Sequence, residues 1–340
     1  MKLSHQGRLA LSLIAVFSLL VALGIWYMTA MPGVRYRGPL QPLDLSGQTL
    51  LANLRKHVVA VAFREHNVAH PEALERSASY IESTLASFGY VVIRQEFEAG
   101  GVKVRNLEVA RKGPPFEGKP RLVVLGAHYD SASGAVGAND NGSGVAALLE
   151  LARTATLIIP DPGMEIRIVF YANEELPWFG TEKMGSFVHA SGLKREGLDV
   201  SAMVSLETIG WYSDKPGSQR YPFPFSLLYP DAGDFIAFVG NLQSRELTRR
   251  MVGTFRRHEP FPSEGVVAPE SIRGISWSDQ WAYWNYGWPA VMVTDTAPYR
   301  YPYYHTLEDT SVQLDYDRLA RVVRGLEGVV RDLVIVPPKN

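Results

Sequence analysis

The chain contains no cysteine, which excludes a disulfide framework, a thiolate nucleophile and a cysteine-ligated metal site together. It has no excess of charge either: 34 Lys and Arg stand against 35 Asp and Glu, a net charge of −1. Binding to nucleic acid or to a broadly anionic surface would call for a basic imbalance, so no nucleic-acid partner is expected. Repeats and low-complexity tracts are absent as well. What is present is 340 residues of globular composition, 46% hydrophobic and 20% charged. That is enough to bury a large core and too apolar for intrinsic disorder.

Charge is also missing from Leu9 to Met31, the run LALSLIAVFSLLVALGIWYMTAM. As a helix this run is roughly 34 Å long, enough to cross a bilayer. It exceeds the apolar core of a cleaved signal peptide, and Met28 and Ala30 make a poor small-residue cleavage site, so residues 1–31 read as an uncleaved transmembrane anchor. Trp26 and Tyr27 near its outer end suit an interfacial aromatic belt. Lys2 and Arg8 before the span balance Arg35 and Arg37 after it. An extracytoplasmic catalytic body is the default expectation for a single N-terminal anchor. Residues 32–45, rich in proline and glycine, read as an extended tether, and residues 46–340 as one catalytic domain. The sequence does not speak to oligomeric state.

From Ser46 onward helical and strand patterns alternate. Ser46 is placed to cap a helix carrying Leu50, Leu54, Val58 and Val61, and a second helix follows Pro71 and stops at Gly89. Strands are expected at Tyr90 to Phe97, Val102 to Ala110, Arg121 to Gly126, Glu165 to Ala172, Ser201 to Glu207 and Pro289 to Thr294. A helix from Gly144 to Thr156 and a closing helix around Leu319 to Leu333 complete the pattern. Short apolar strands between amphipathic helices imply a three-layer α/β/α fold with a central, mostly parallel mixed sheet covered on both faces.

In such sheets chemistry gathers beyond the carboxyl ends of the strands. The apolar run Leu122 to Leu125 leads into GAHYDS and then GANDNGSG, Ile166 to Tyr171 into ANEE, Met203 to Leu206 into Glu207, and Val291 to Thr294 through a loop into YHT. Each strand end therefore delivers a histidine or a carboxylate. His128, Asp140, Glu175, Glu207 and His305 form a set of oxygen and imidazole donors suited to one or two zinc ions. The remaining histidines sit in helical or polar contexts and read as satisfied or partly exposed.

The segments GAHYDS, GANDNGSGVAALLELAR, ANEE, SLETIG, SDQWAYWNYGWPAV and YHTLEDT resemble, in order and spacing, the zinc aminopeptidase family that includes glutamate carboxypeptidase II and glutaminyl cyclase relatives. The resemblance spans residues 46 to 335. It implies that Asp140 bridges two zinc ions, His128 and Glu207 completing one site and Glu175 and His305 the other. It further implies Asp130 as the group orienting His128, Glu174 as general base and later acid, Tyr304 as a hydrogen-bond donor to the oxyanion, and a cis peptide bond at Asp140-Asn141. Consecutive side chains diverge at an extended strand end, so Glu175 can ligate while Glu174 faces the water. Asp279 matches an acidic position of the family, with Gln280 replacing the histidine that follows it there, and is given a supporting role.

Glu207 departs from the aspartate common in the family and reaches one methylene further. Either its backbone is set back or the second ion is held more weakly. Residues 211–275, aromatic and proline-rich at Tyr221, Phe223 and Phe225, are expected to be an insertion covering the cleft with an apolar wall. Arg249, Arg250, Arg256 and Arg257 read as a solvated helix face in preference to a carboxylate-binding cluster. Trp178 and Phe179 either shape the pocket or pack in the core. The resulting expectation is a membrane-anchored zinc aminopeptidase acting on peptides. A glutaminyl-peptide cyclotransferase with one zinc, a carboxypeptidase and a binding domain without catalysis are the alternatives.

Overall fold

The computed structural model describes residues 5–335. Lys2 and the outermost ends of the expected anchor and catalytic segments lie outside the described residues. Sixteen elements follow one another: α1 (His5–Thr29), α2 (Leu45–Val61), α3 (Pro71–Ser87), β1 (Ile93–Ala99), β2 (Val102–Lys112), β3 (Arg121–His128), α4 (Gly144–Ala155), β4 (Met164–Tyr171), α5 (Gly185–Arg195), β5 (Asp199–Glu207), β6 (Ile236–Gly240), α6 (Arg245–His258), β7 (Ser263–Val267), α7 (Gln280–Trp284), β8 (Ala290–Thr294) and α8 (Tyr316–Val334).

The strands form one eight-stranded sheet in the order β1-β2-β4-β3-β5-β8-β6-β7. Its centre, β4-β3-β5-β8, is parallel throughout. Antiparallel pairs join β2 to β4 and β6 to β8 on either side, so the expected mixed sheet is observed with its parallel part at the site-bearing centre. The strands alternate between two cores. Val123, Leu125, Ile166, Ile168, Val204 and Leu206 face the cluster shared with α2, α4, α6 and α8, whereas Leu122, Val124, Val169 and Met203 face α5 and α7. Helix α8 buries Leu319, Val322, Val323, Leu326, Val330 and Leu333 on the first face, each worth roughly 1.5–3 kcal/mol of transfer free energy.

Several boundaries differ from the sequence reading. Asp44, not Ser46, caps α2: its carboxylate accepts from the Gly47 backbone N–H at 2.8 Å, and the Ser46 hydroxyl donates to the same oxygen. The carboxylate sits at the position preceding the first helical residue, where the open N–H groups converge. Within residues 211–275, β6, α6 and β7 are part of the sheet and its covering layer. Helix α5 was not foreseen, and neither was α7.

Helix α1 contains a 19-residue stretch, Leu11–Thr29, of mean hydropathy 2.2, none of whose residues is fully buried among the described residues. Its end docks on the globular body. Arg245 donates to the Tyr27 carbonyl at 3.0 Å, Arg249 to the Ala30 carbonyl, and Arg256 to the Pro32 carbonyl at 3.1 Å. Arg35 pairs with Asp234. Of the four arginines expected on a solvated face, Arg249 and Arg256 instead clamp the segment that follows α1, together with Arg245, because they present guanidinium groups to main-chain carbonyls at and beyond the helix end, whereas Arg250 pairs with Asp332 and Arg257 donates to the Thr254 hydroxyl. The segment expected to be a free tether is held against α6 and β7.

Candidate metal centre

The parallel strands end on one edge, and there the donors gather. His128 is the last residue of β3 and Glu207 the last of β5. Asp140 lies in the tight turn that opens α4, Glu174 and Glu175 follow β4, and His305 lies in the loop after β8. His128 Nε2 stands 3.4 Å from an Asp140 carboxylate oxygen and 3.2 Å from Glu207 Oε2. His305 Nε2 stands 2.9 Å from the other Asp140 oxygen and 3.4 Å from Glu175 Oε1. The result is two triads, His128–Asp140–Glu207 and Asp140–Glu175–His305, each with its donor atoms within 4.8 Å of one another and sharing Asp140.

Cations fit this arrangement. Asp140, Glu174, Glu175 and Glu207 are all buried, and among the described residues their ion-pair partners are imidazoles alone. Among the described residues, His128 Nε2, Asp140 Oδ1 and Glu175 Oε1 are buried without a hydrogen-bond partner, as donor atoms aimed at an ion would be. Burial and the neighbouring Asp140 push Glu175 up to about 7, against the pull of His305. Burial lowers the His128 pKa, but Glu207 and Glu174 outweigh it and hold the ring well above the usual histidine range. A bound cation would offset the carboxylate charge gathered here, and zinc suits an imidazole and carboxylate donor set.

Asp130 lies against the Nδ1 side of the His128 ring. His128 Nδ1 lies 3.1 Å from the Asp130 main-chain carbonyl and 3.6 Å from its carboxylate. The carboxylate accepts the backbone N–H groups of Glu174 and Glu175 at 3.1 and 3.2 Å, fixing the loop that carries both glutamates. Burial raises Glu174 well above the usual carboxylate range, with Glu207 and Glu175 opposing the pull of His128.

The shared aspartate is held by residues the sequence reading passed over. Asp309 accepts the backbone N–H groups of Asn139 and Asp140 and the Tyr301 hydroxyl. Asn139 bridges to Asp295 and to the Gly210 N–H, and Asn141 joins Leu206 to Thr208. The peptide bond Asp140-Asn141 is cis. At Gly144 a Cβ would lie 2.3 Å from Asn141 Oδ1 and 2.6 Å from the Leu206 carbonyl, so only glycine allows α4 to start this close to β5. Ser278 donates to Glu207 Oε2 at 2.7 Å and meets Ser205 at 3.0 Å. Asp309 stands in the YHTLEDT motif, the one signal that pointed toward it. Asp279 is fully buried, and burial carries it to about 7 against the pull of His128 and the Ser186 hydroxyl.

A model of Peptidase family M28 matches residues 109–330, more than half of the chain. The chain belongs to this family. It is accordingly a zinc metallopeptidase. Uncharacterized protein YfbL of Escherichia coli (strain K12) is 43% identical over 262 residues, covering 74% of this chain and 78% of that protein. Two solved structures share the fold at low identity. The aminopeptidase from Aneurinibacillus sp. strain AM-1 aligns at a TM-score of 0.63 and 16% identity over 85% of this chain and 96% of its own. Fimbriiglobus ruber glutaminyl cyclase aligns at 0.59 and 17% over 88% and 98%.

On this member of family M28 an apolar cavity of about 100 Å³ opens beside Glu207. Phe225, Phe235, Ala237, Val239, Ile275 and Met292 line it, with Tyr304 beside them. The Tyr304 ring stacks on His305 at 3.9 Å between centroids, and burial with the surrounding carboxylates keeps its phenol protonated. Trp178 packs against the main core and Phe179 against Trp281; neither lines the cavity. Phe223 points away from it, 82% exposed.

Proposed function

We propose that the chain is a membrane-anchored aminopeptidase with two zinc ions, an extracytoplasmic catalytic domain at residues 46–340, and peptides with an apolar first residue as substrates. The observation that carries this reading is the pair of donor triads sharing Asp140, with Glu174 and the apolar cavity beside them. His128, Asp140 and Glu207 would hold one ion and Asp140, Glu175 and His305 the other. That the Glu207 carboxylate lies 3.2 Å from His128 Nε2 under the Ser278 hydroxyl supports its role as a ligand despite the extra methylene. Bound zinc would polarise the scissile carbonyl and acidify a water molecule.

The chain supplies the rest. Glu174, buried and held by Asp130 through its own backbone N–H, takes the proton from the attacking water and returns it to the leaving amine. Tyr304, its phenol kept protonated by burial and the surrounding carboxylates, would donate to the developing oxyanion. The cavity beside Glu207 suits one aliphatic side chain: an apolar cavity of about 150 Å³ holds a benzene ring, and this one is smaller, at about 100 Å³. Carboxylates around the reacting position favour a substrate's free ammonium over a terminal carboxylate.

The test is a metal count on the purified full chain, with leucyl-anilide, a glutaminyl peptide and a C-terminal glutamate peptide assayed on the same sample. Two zinc ions with chelator-sensitive leucyl-anilide hydrolysis are expected. Cyclisation of the glutaminyl peptide without hydrolysis would transfer the protein to the cyclases whose fold it shares, and release of C-terminal glutamate alone would make it a carboxypeptidase.

A further inference from the structure

The stretch 221–230, YPFPFSLLYP, contains no charged residue and has two faces. Inward, Tyr221, Phe225 and Tyr229 line the cavity beside Glu207. Outward, Phe223 is 82%, Leu227 75% and Leu228 43% exposed. Three large apolar side chains so close together and so exposed mark an interaction surface.

Their position says which one. Leu228 and Pro230 share a groove with Thr29, Ala30 and Met31, the residues where α1 ends. Met28, in the last turn of α1, packs in the same cluster as Tyr221, Phe225 and Tyr229. The Tyr229 hydroxyl donates to the carbonyl of Gly265, against which Met31 lies. Beside them the Arg245 guanidinium sits 4.2 Å over the Tyr27 ring, and Leu242 is 43% exposed. An aromatic and a cation at the end of an apolar helix are the composition of a membrane–water interface.

We infer that the outer face of this loop is a second membrane contact: Phe223, Leu227 and Leu228 enter the bilayer interface beside α1 and hold the cavity wall at the lipid surface. The inference rests on the reading of α1 as a membrane anchor. Its consequence is a substrate class, apolar peptides partitioned into the bilayer interface, which meet the cavity where they are concentrated.

The absence of native cysteine makes the experiment direct. Single substitutions Phe223→Cys, Leu227→Cys, Leu20→Cys and Val91→Cys in the full chain each take one nitroxide. After reconstitution into phosphatidylcholine–phosphatidylglycerol vesicles, collision with oxygen and with a water-soluble nickel chelate reports depth. Labels at 223 and 227 are expected between the lipid value at 20 in α1 and the aqueous value at Val91, which is 87% exposed. Labels at 223 and 227 that match 91 overturn the second contact while 20 in lipid leaves the anchor standing. An aqueous label at 20 overturns the anchor by itself. Loop labels shielded from both reagents mean a protein partner covers the face, which also overturns the inference. In the same vesicles F223S/L227S is expected to lower kcat/KM severalfold for an apolar vesicle-bound peptide and to leave a short soluble leucyl-anilide unaffected; equal rates on both substrates would overturn the substrate class.

Discussion

Removing one hydroxyl, Ser278→Ala, tests the two-site reading without touching a donor. Ser278 donates to Glu207 Oε2 at 2.7 Å, the same oxygen that stands 3.2 Å from His128 Nε2. All three residues are buried, so no water restores the lost bond cheaply. A hydrogen bond to a charged group contributes about 1.5–3 kcal/mol, and at about 1.4 kcal/mol per tenfold its loss weakens the His128–Asp140–Glu207 site by roughly 10- to 150-fold. The hydrogen bonds of Ser278 go to Glu207 and Ser205, not to Asp140, Glu175 or His305, so the other site is expected to keep its affinity. Chelator competition on the zinc-loaded chain then separates into two phases, one shifted and one not. Ser278→Thr, which keeps the hydroxyl, is expected to restore the shifted phase. Equal shifts in both phases, or a lowered Tm with unchanged zinc affinity, would refute the assignment of Ser278 to one site and leave it a packing residue.

Glu174→Gln is expected to keep its zinc and its Tm and to lose about 10²- to 10⁴-fold in kcat; surviving turnover would remove Glu174 as the base. Asp140→Asn takes a carboxylate from both triads and is expected to lower zinc content and rate together, measured by metal analysis and leucyl-anilide hydrolysis. Ala237→Phe fills the apolar cavity. Excluding a leucine side chain forfeits about 1.5–3 kcal/mol, so kcat/KM for leucyl-anilide should fall far more than for alanyl-anilide, and equal losses would place the first residue elsewhere. Burial would raise Glu108, but His189 and Arg167 overcome it and hold its carboxyl down at about 2. A folded pKa below the ordinary value near 4.5 adds stability that is fully present above pH 4.5 and is lost as pH falls through about 2. The stability lost in Glu108→Gln, on the order of 3 kcal/mol and read as a drop in Tm, is therefore expected to be largest at neutral pH and to shrink across that window.

The donors were legible because the fold makes them so. A parallel strand buried on both faces reads as an unbroken apolar run, and the residue that breaks it lies at the edge where ligands are bound. His128 and Glu207 end β3 and β5 in this way, and the four central strands were found with boundaries close to those observed. The supporting residues had no such signal. Asp309 reaches Asp140 across 169 positions, and it does so through a main-chain N–H, which any residue type offers. Ser278 meets Glu207 across 71 positions with a side chain as common in loops as in sites. Helix α5 escaped notice because its buried face includes Ser186 and His189, the latter bonded to Glu108 and Tyr283, and a polar buried stripe leaves little apolar period to detect.

The segment around α6 shows why composition alone misassigns such a region. Five residues of β6 or β7 are too few to distinguish a strand from a loop by pattern, and an arginine-rich helix ordinarily faces water. Here Arg245, Arg249 and Arg256 spend their donors on carbonyls more than 200 positions upstream, so the helix joins the globular body to the end of α1. That junction gives Phe223 its meaning. In sequence it belongs with Tyr221 and Phe225 to a single aromatic wall, but the 3₁₀ turn at Phe225–Leu227 sends Phe225 inward and leaves Phe223 and Leu227 facing out. The inner half of the loop bears on which peptide fits, and the outer half on where the protein meets it, so substitutions on the two faces are expected to separate in assay: Phe225→Ala should alter the choice of first residue on soluble anilides, and Phe223→Ser should alter rate only when substrate is presented on a membrane.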